Sequence, residues 1–147
     1  MFKHVLIPTD GSALSAKAAT TGIAIAKAFG ARLTGIRTYP KYTISSYGEF
    51  GPSDYVVDKN YQASRIAEAN HDLDVIAKAA VDAGLVFERV IVEEDHAWKT
   101  IVDQAEKLGC DLICMASHGR AGLAGVVIGS ETNKVLTHTR IPVLVSR

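Results

Sequence analysis

Between Asp111 and Ser130 the sequence DLICMASHGRAGLAGVVIGS carries the residue types that hold an anion by backbone alone. A buried apolar strand, Leu112 to Met115, stops in the small-residue turn Ala116-Ser117-His118-Gly119, and Gly129-Ser130 then opens a helix over Glu131 to Thr137. Glycine turns and helix starts both present unpaired N–H groups, and those donors suit a phosphate. The simpler alternative is that the glycines only let the loop turn tightly. His118 is either a phosphate contact, an acid–base group or a turn residue. Arg120 and Lys134 flank the loop, either balancing phosphate charge or solvated. Near the start, Pro8-Thr9-Asp10-Gly11-Ser12 closes another apolar strand with the residues of a turn and a helix N-cap. Glu93, Glu94 and Asp95 could hold a metal together with Asp10, but capping of the next helix explains Asp95 with less assumption. His71 and His96 have no ligand spacing and read as surface residues. Cys110 and Cys114, four apart, lack the spacing of a redox or zinc pair, so they read as small hydrophobes.

Composition narrows the class. The chain has 147 residues, 48% apolar and 22% charged, enough for one globular domain over 1–147 with a full core. Lys+Arg and Asp+Glu balance at 16 each, so bulk charge favours neither nucleic acid nor an anionic membrane. No apolar run reaches a membrane span, and MFKHVLIPTDGS lacks the features of an export signal, which makes the cytoplasm the expected compartment.

The elements that must position these residues alternate. His4 to Pro8 is a strand. Leu14, Ala18, Thr21, Ile25 and Ala28 mark one face of a helix that closes at Gly30. Leu33 to Tyr39 is a strand, and a helix follows from about Tyr55 to Ala83 with Ile66, Ala69, Leu73, Ile76 and Ala80 on one stripe. Leu85 to Val92 returns to strand. Trp98, Ile101, Ala105 and Leu108 stripe a further helix, capped by Asp95 and closed by Gly109. The Asp111 strand, the glycine loop, a short helix and a strand over Pro142 to Ser146 complete the chain. Five strands alternating with four helices predict a parallel sheet with helices on both faces. Ligands of such sheets bind beyond the carboxyl ends of the strands, so Pro8–Ser12 and Ala116–Gly119 belong to the binding rim. The irregular stretch Tyr39 to Asp54 either packs over the sheet or forms a lid over the ligand.

Several motifs are missing. There is no G-x-x-x-x-G-K-[ST] loop and no G-x-G-x-x-G after the first strand, so a P-loop NTPase and a classical dinucleotide site are excluded. A phospho-acceptor receiver would need an acidic pair after strand one and a lysine after strand five, and neither is present. What remains, the opening V-L-I-P-T-D-G-S, the D-L-I-C-M-A-S-H-G strand-turn and the closing P-V-L-V, resembles the universal stress protein (UspA) family. The resemblance runs from His4 to Ser146. Its specific element is the nucleotide signature G-x2-G-x9-G-[ST]; here Gly119, the nine residues Arg120 to Ile128, and Gly129-Ser130 match, while Ala116 replaces the first glycine.

The resemblance implies a Rossmann-like, adenine-nucleotide-hydrolase-like α/β domain with strand order 3-2-1-4-5. It implies ATP across the ends of strands one and four, with Mg²⁺ carried by the phosphates rather than by protein ligands. Pro8, Thr9 and Asp10 would border the adenosine, and Thr38 would offer backbone groups to the adenine edge. Gly119, Gly129 and Ser130 would hold the phosphates, and Met115, Ala116, Ser117, His118, Arg120, Glu131 and Thr132 would complete the surround. A regulatory homodimer paired through Pro142–Ser146 is implied, acting in the stress response with at most slow ATP hydrolysis. Two rival expectations remain: an interaction module with an empty site, which Ala116 favours, and a small enzyme using His118 or Asp10.

Overall fold

The structure, a computed structural model, describes residues 1–42, 53–119 and 128–147. Five parallel strands form one sheet: β1 (His4–Pro8), β2 (Arg32–Tyr39), β3 (Phe87–Glu93), β4 (Leu112–Ala116) and β5 (Val143–Ser146). Their order is β3-β2-β1-β4-β5, as the sequence predicts. The connecting helices are α1 (Ala13–Phe29), α2 (Ser53–Asp82), α3 (Ala97–Leu108) and α4 (Ser130–His138).

The alternation of strand side chains sorts the core into two halves. Val5, Ile7, Leu33, Leu112 and Cys114 pack with Ala19, Ile23 and Ala26 of α1 and with Ile76 and Ala80 of α2. Leu6, Ile36, Ile113 and Met115 face the other way, against Ile101, Val102 and Ala105 of α3 and Val135 of α4. Every residue of β1 and β4 is buried, as befits central strands covered on both faces. The two cysteines, both buried, belong to opposite halves, Cys114 on the α1 side and Cys110 on the α3 side.

The start of the sheet is pinned by Asp111, whose carboxylate accepts the N–H groups of Lys3 at 2.8 Å and His4 at 2.9 Å. His4 is itself buried, bonded to Thr34 Oγ1 at 2.8 Å and Leu108 O at 3.2 Å. Helix α1 begins at Ser12, whose hydroxyl accepts the Ser15 N–H, and ends at Gly30 in the left-handed conformation, φ 64°.

Two expectations need correction. The buried face of α1 is Ser15, Ala18, Ala19, Gly22, Ile23 and Ala26, while Leu14, Thr21 and Ile25 are half-buried and Ala28 is exposed. The face is set by Gly22, where a Cβ would stand 2.8 Å from Ile7 Cδ1 and 3.3 Å from Cys114 Cβ, so only a glycine lets the helix lie this close to β1 and β4. Nor does Asp95 cap α3. The N-cap position is His96, and the Asp95 carboxylate instead accepts the Lys41 N–H at 3.0 Å. Glu131 of α4 supplies the cap from outside the helix, its Oε2 accepting the Trp98 N–H at 2.9 Å.

On α2 the stripe Ala69, Leu73, Ile76 and Ala80 is buried, with Ile66 exposed at its near end. Of the irregular stretch, Tyr39 is buried in β2 and Tyr42 packs on Tyr61 of α2, ring centroids 5.3 Å apart. Residues 43–52 lie outside the described residues, as does the possible lid they would form. No helix among the described residues is long and apolar enough to cross a membrane.

Candidate functional site

A cavity of about 450 Å³ opens at the carboxyl ends of β1, β2 and β4. One wall is the exit of β1: Pro8, Thr9 and Asp10, with Ser15 of α1 behind them. Hydrogen bonds hold this turn. Thr9 N–H donates to Ile36 O at 3.0 Å, Thr9 Oγ1 lies 3.0 Å from Ser15 Oγ, and Asp10 Oδ1 accepts the Ser12 N–H at 3.0 Å. Gly11 turns the chain with φ 77°, where a side chain would be strained.

The second wall is the exit of β4 and the start of α4: Met115, Ala116, His118 and Gly119, then Gly129, Ser130, Glu131 and Thr132. The fold thus closes the gap between the two ends of the 116–130 stretch. Gly129 N–H donates to Ser117 O at 2.7 Å, and buried Thr132 donates its hydroxyl to Ala116 O at 2.9 Å. A Cβ on Gly129 would stand 3.2 Å from Ser117 O and 3.4 Å from His118 Cα, and one on Gly119 would stand 2.9 Å from Asp10 Oδ2. At Gly129 the crowding is with backbone, whereas at Gly119 it is with the end of a side chain that can move. Gly129 spends its own N–H on Ser117, so the donors facing the cavity begin at Ser130.

Helix geometry leaves the N–H groups of Ser130, Glu131 and Thr132 without acceptors in α4. No side chain among the described residues caps that helix, in contrast to Ser12 on α1. With the Ser130 hydroxyl they form a donor set that fits a phosphate. Ala116 lies in ordinary strand backbone, because no described residue other than glycine has a positive φ. Its departure from the signature therefore carries no conformational strain.

The third wall is apolar and comes from Ile36 and Thr38 of β2 with Ala97 and Ile101 of α3, a surface suited to a flat ring. Arg37 joins it. Its Nε donates to Asp72 Oδ2 at 2.9 Å, and its Nη1 donates to the Thr38 carbonyl. Ser15, Ile36, Arg37, Ala97 and Ile101 escape a reading of the sequence by motif. Ile36 and Ile101 are visible only as core positions, and nothing in the sequence shows that β2 and α3 meet at this end of the sheet.

One expected residue, Ser117, does not line the cavity. Ser117 is buried, its hydroxyl 2.9 Å from His118 Nδ1, and so it orients the ring. Arg120 lies outside the described residues. His118 Nε2 is buried with no hydrogen-bond partner among the described residues. Lys134 pairs with Glu131 Oε1 at 3.1 Å. His71 and His96 are exposed. Glu94 pairs with Lys41 at 3.3 Å; the Asp95 N–H, then Lys41, holds its carboxyl below the ordinary range. No cluster of metal-ligating side chains occurs among the described residues.

The chain matches the model of the universal stress protein family over residues 1–147. It is 30% identical over 145 residues to universal stress protein MJ0531 of Methanocaldococcus jannaschii, covering 99% of this chain and 82% of that one. The structure of MJ0577, a universal stress protein of the same organism, is similar with a TM-score of 0.81 at 27% identity, covering 99% of this chain and 96% of that one. The universal stress protein of Archaeoglobus fulgidus in complex with dAMP shares the fold, with a TM-score of 0.61 at 15% identity and coverage of 100% and 98%. Sheet order, the β4–α4 turn and a family match over the whole length agree: the chain belongs to the universal stress protein family.

Proposed function

We propose that the chain, as one domain over 1–147, binds an adenine nucleotide, ATP, in the cavity at the ends of β1, β2 and β4. The observation that carries this reading is the start of α4, left without a side-chain cap by the described residues, beside an apolar slot. Ser130–Thr132 offer donors for phosphate, while Ile36, Thr38, Ala97 and Ile101 offer a surface for the base. That a protein of this fold holds dAMP supports the choice of an adenine ligand. Mg²⁺ would arrive with the phosphates and keep most of its waters.

The protein acts as a regulatory homodimer in the cytoplasmic stress response, signalling by occupancy rather than turnover. A hydrolase needs a group that orients or activates water. Ser117 holds His118 from one side, and no carboxylate is bonded to its ring among the described residues. Against the empty-site reading stands the backbone of Ala116, which has no positive φ and so needs no glycine for its conformation.

The test is isothermal titration of purified protein with ATP, preceded by mass spectrometry of the acid-released supernatant for carried nucleotide. ATP binding at micromolar or tighter affinity supports the reading. No heat of binding and no carried nucleotide would overturn it.

A further inference from the structure

Glu131 lines the cavity within the first turn of α4, the turn whose N–H groups are proposed to hold phosphate, and puts a negative charge close to them. Its carboxylate is anchored. Oε2 accepts the Trp98 N–H of α3 at 2.9 Å, and Oε1 lies 3.1 Å from Lys134 Nζ. An acidic side chain at a helix start favours the helix. Toward an anion bound at the same turn it is a like charge, and its anchor keeps it from swinging away. Lys134 screens it without cancelling it, because that pair is open to water, with side-chain exposures of 46% and 43%. The other charged groups on the walls are Asp10, whose Oδ1 accepts the Ser12 N–H, and Arg37, which pairs with Asp72; both stay in place in the Glu131 variants and so cancel from the comparison.

We propose that Glu131 is a specificity-determining residue of this site, one that sets how steeply affinity climbs with the number of phosphates on the ligand. The proposal rests on the nucleotide reading above. The donors of α4 are the same for any phosphate tail, whereas repulsion from a fixed carboxylate grows with the charge of the tail. Glu131 therefore penalises ATP more than AMP.

The experiment titrates ATP and AMP, without divalent metal, into wild type, Glu131→Gln and Glu131→Ala. Glutamine keeps an acceptor for the Trp98 N–H and removes the charge. In Glu131→Gln the preference for ATP over AMP should rise by roughly three- to tenfold at low salt, the size of one like-charge contact near water. It should fall back toward the wild-type ratio at high salt, where exposed charges are screened. Glu131→Ala should shift the ratio in the same direction even though loss of the anchor weakens both ligands. An unchanged ratio in both variants, with both nucleotides bound, would leave Glu131 a cap of α3 and overturn the proposal. So would a shift that ignores salt, because shape rather than charge would then be its cause. Failure of wild type to bind either nucleotide is a different result: it overturns the nucleotide reading, and this one with it.

Discussion

Trp98 and Glu131, 33 residues apart in the chain, are joined by a backbone N–H to carboxylate bond of 2.9 Å that ties the start of α3 to the start of α4. Both helix starts contribute to the cavity lining, so one side chain caps α3 and joins two adjoining parts of the wall. Removing it by Glu131→Ala should cost about 1 kcal/mol in urea unfolding, a typical cap loss, and speed hydrogen exchange at the Trp98 amide. Asp95→Ala should leave that amide protected, since its carboxylate bonds Lys41 instead.

Gly129 should tolerate a branched side chain poorly. Its Cβ would press on the Ser117 carbonyl at 3.2 Å, which is backbone and cannot swing aside. Gly129→Val is expected to destabilise the fold by roughly 1–3 kcal/mol, as overpacking does, and to weaken ATP binding. Calorimetry on the folded fraction separates the two effects, and wild-type affinity in that fraction would contradict the phosphate assignment.

Ala116→Gly should behave differently. Ala116 pairs with Ser146 inside β4, in extended backbone that favours a side chain. The change restores the family signature, so ATP affinity should hold or rise, while stability falls by about 0.5–1 kcal/mol from added chain entropy. Titration and urea unfolding read the two outcomes.

Asp111 should shape the acid limb of stability. Burial pushes its carboxyl up, but the N–H groups of His4 and Lys3 outweigh that and hold it below the ordinary range. A folded carboxyl held low contributes stability above the unfolded pKa of ~3.9 and loses it as pH falls through the folded value. Asp111→Asn should therefore lower neutral-pH stability by about 1 kcal/mol, discounted for solvent, and flatten the fall in stability below roughly pH 4. Urea midpoints measured across pH check both.

The edge strand offers a test of the dimer. Pro142 and Ser146 turn their carbonyls toward β4, bonding the N–H groups of Ile113 and Ser117, so the parallel ladder leaves Val143 and Val145 with backbone groups aimed away from the sheet. Val143 also packs in the α3–α4 half of the core. Val145→Pro removes one outward N–H and leaves the β4 ladder whole. Sedimentation should show a dimer for wild type and a monomer for the variant; a monomeric wild type would overturn the dimer.

The sequence made the fold readable because strong local signals close several of its helices. Ser12, Gly30 and Gly109 stand in the structure where their chemistry places them. The phase of α1 was not readable. Its residues are nearly all small, so several stripes look alike, and only the approach of Gly22 to Ile7 selects one. The cap of α3 failed for a related reason: Asp95 has the right type at the right place, but the tertiary partner Glu131 takes the role. Site residues carried by a motif, Pro8 to Asp10 and Ala116 to Thr132, stand together around the cavity apart from Ser117 and the undescribed loop. Arg37, Ala97 and Ile101 reach it only through the packing of β2 and α3, which no local pattern encodes.

The burial of the two cysteines has a consequence for what this protein can sense. Burial pushes the thiols of Cys110 and Cys114 up to about 11. At neutral pH the reactive thiolate is then on the order of one part in ten thousand. Lying in opposite halves of the core, the two sulfurs cannot join without unfolding the sheet. Both thiols therefore react slowly with peroxide or a disulfide while the sheet is folded, and the sulfur an oxidant in solution meets first is that of exposed Met1.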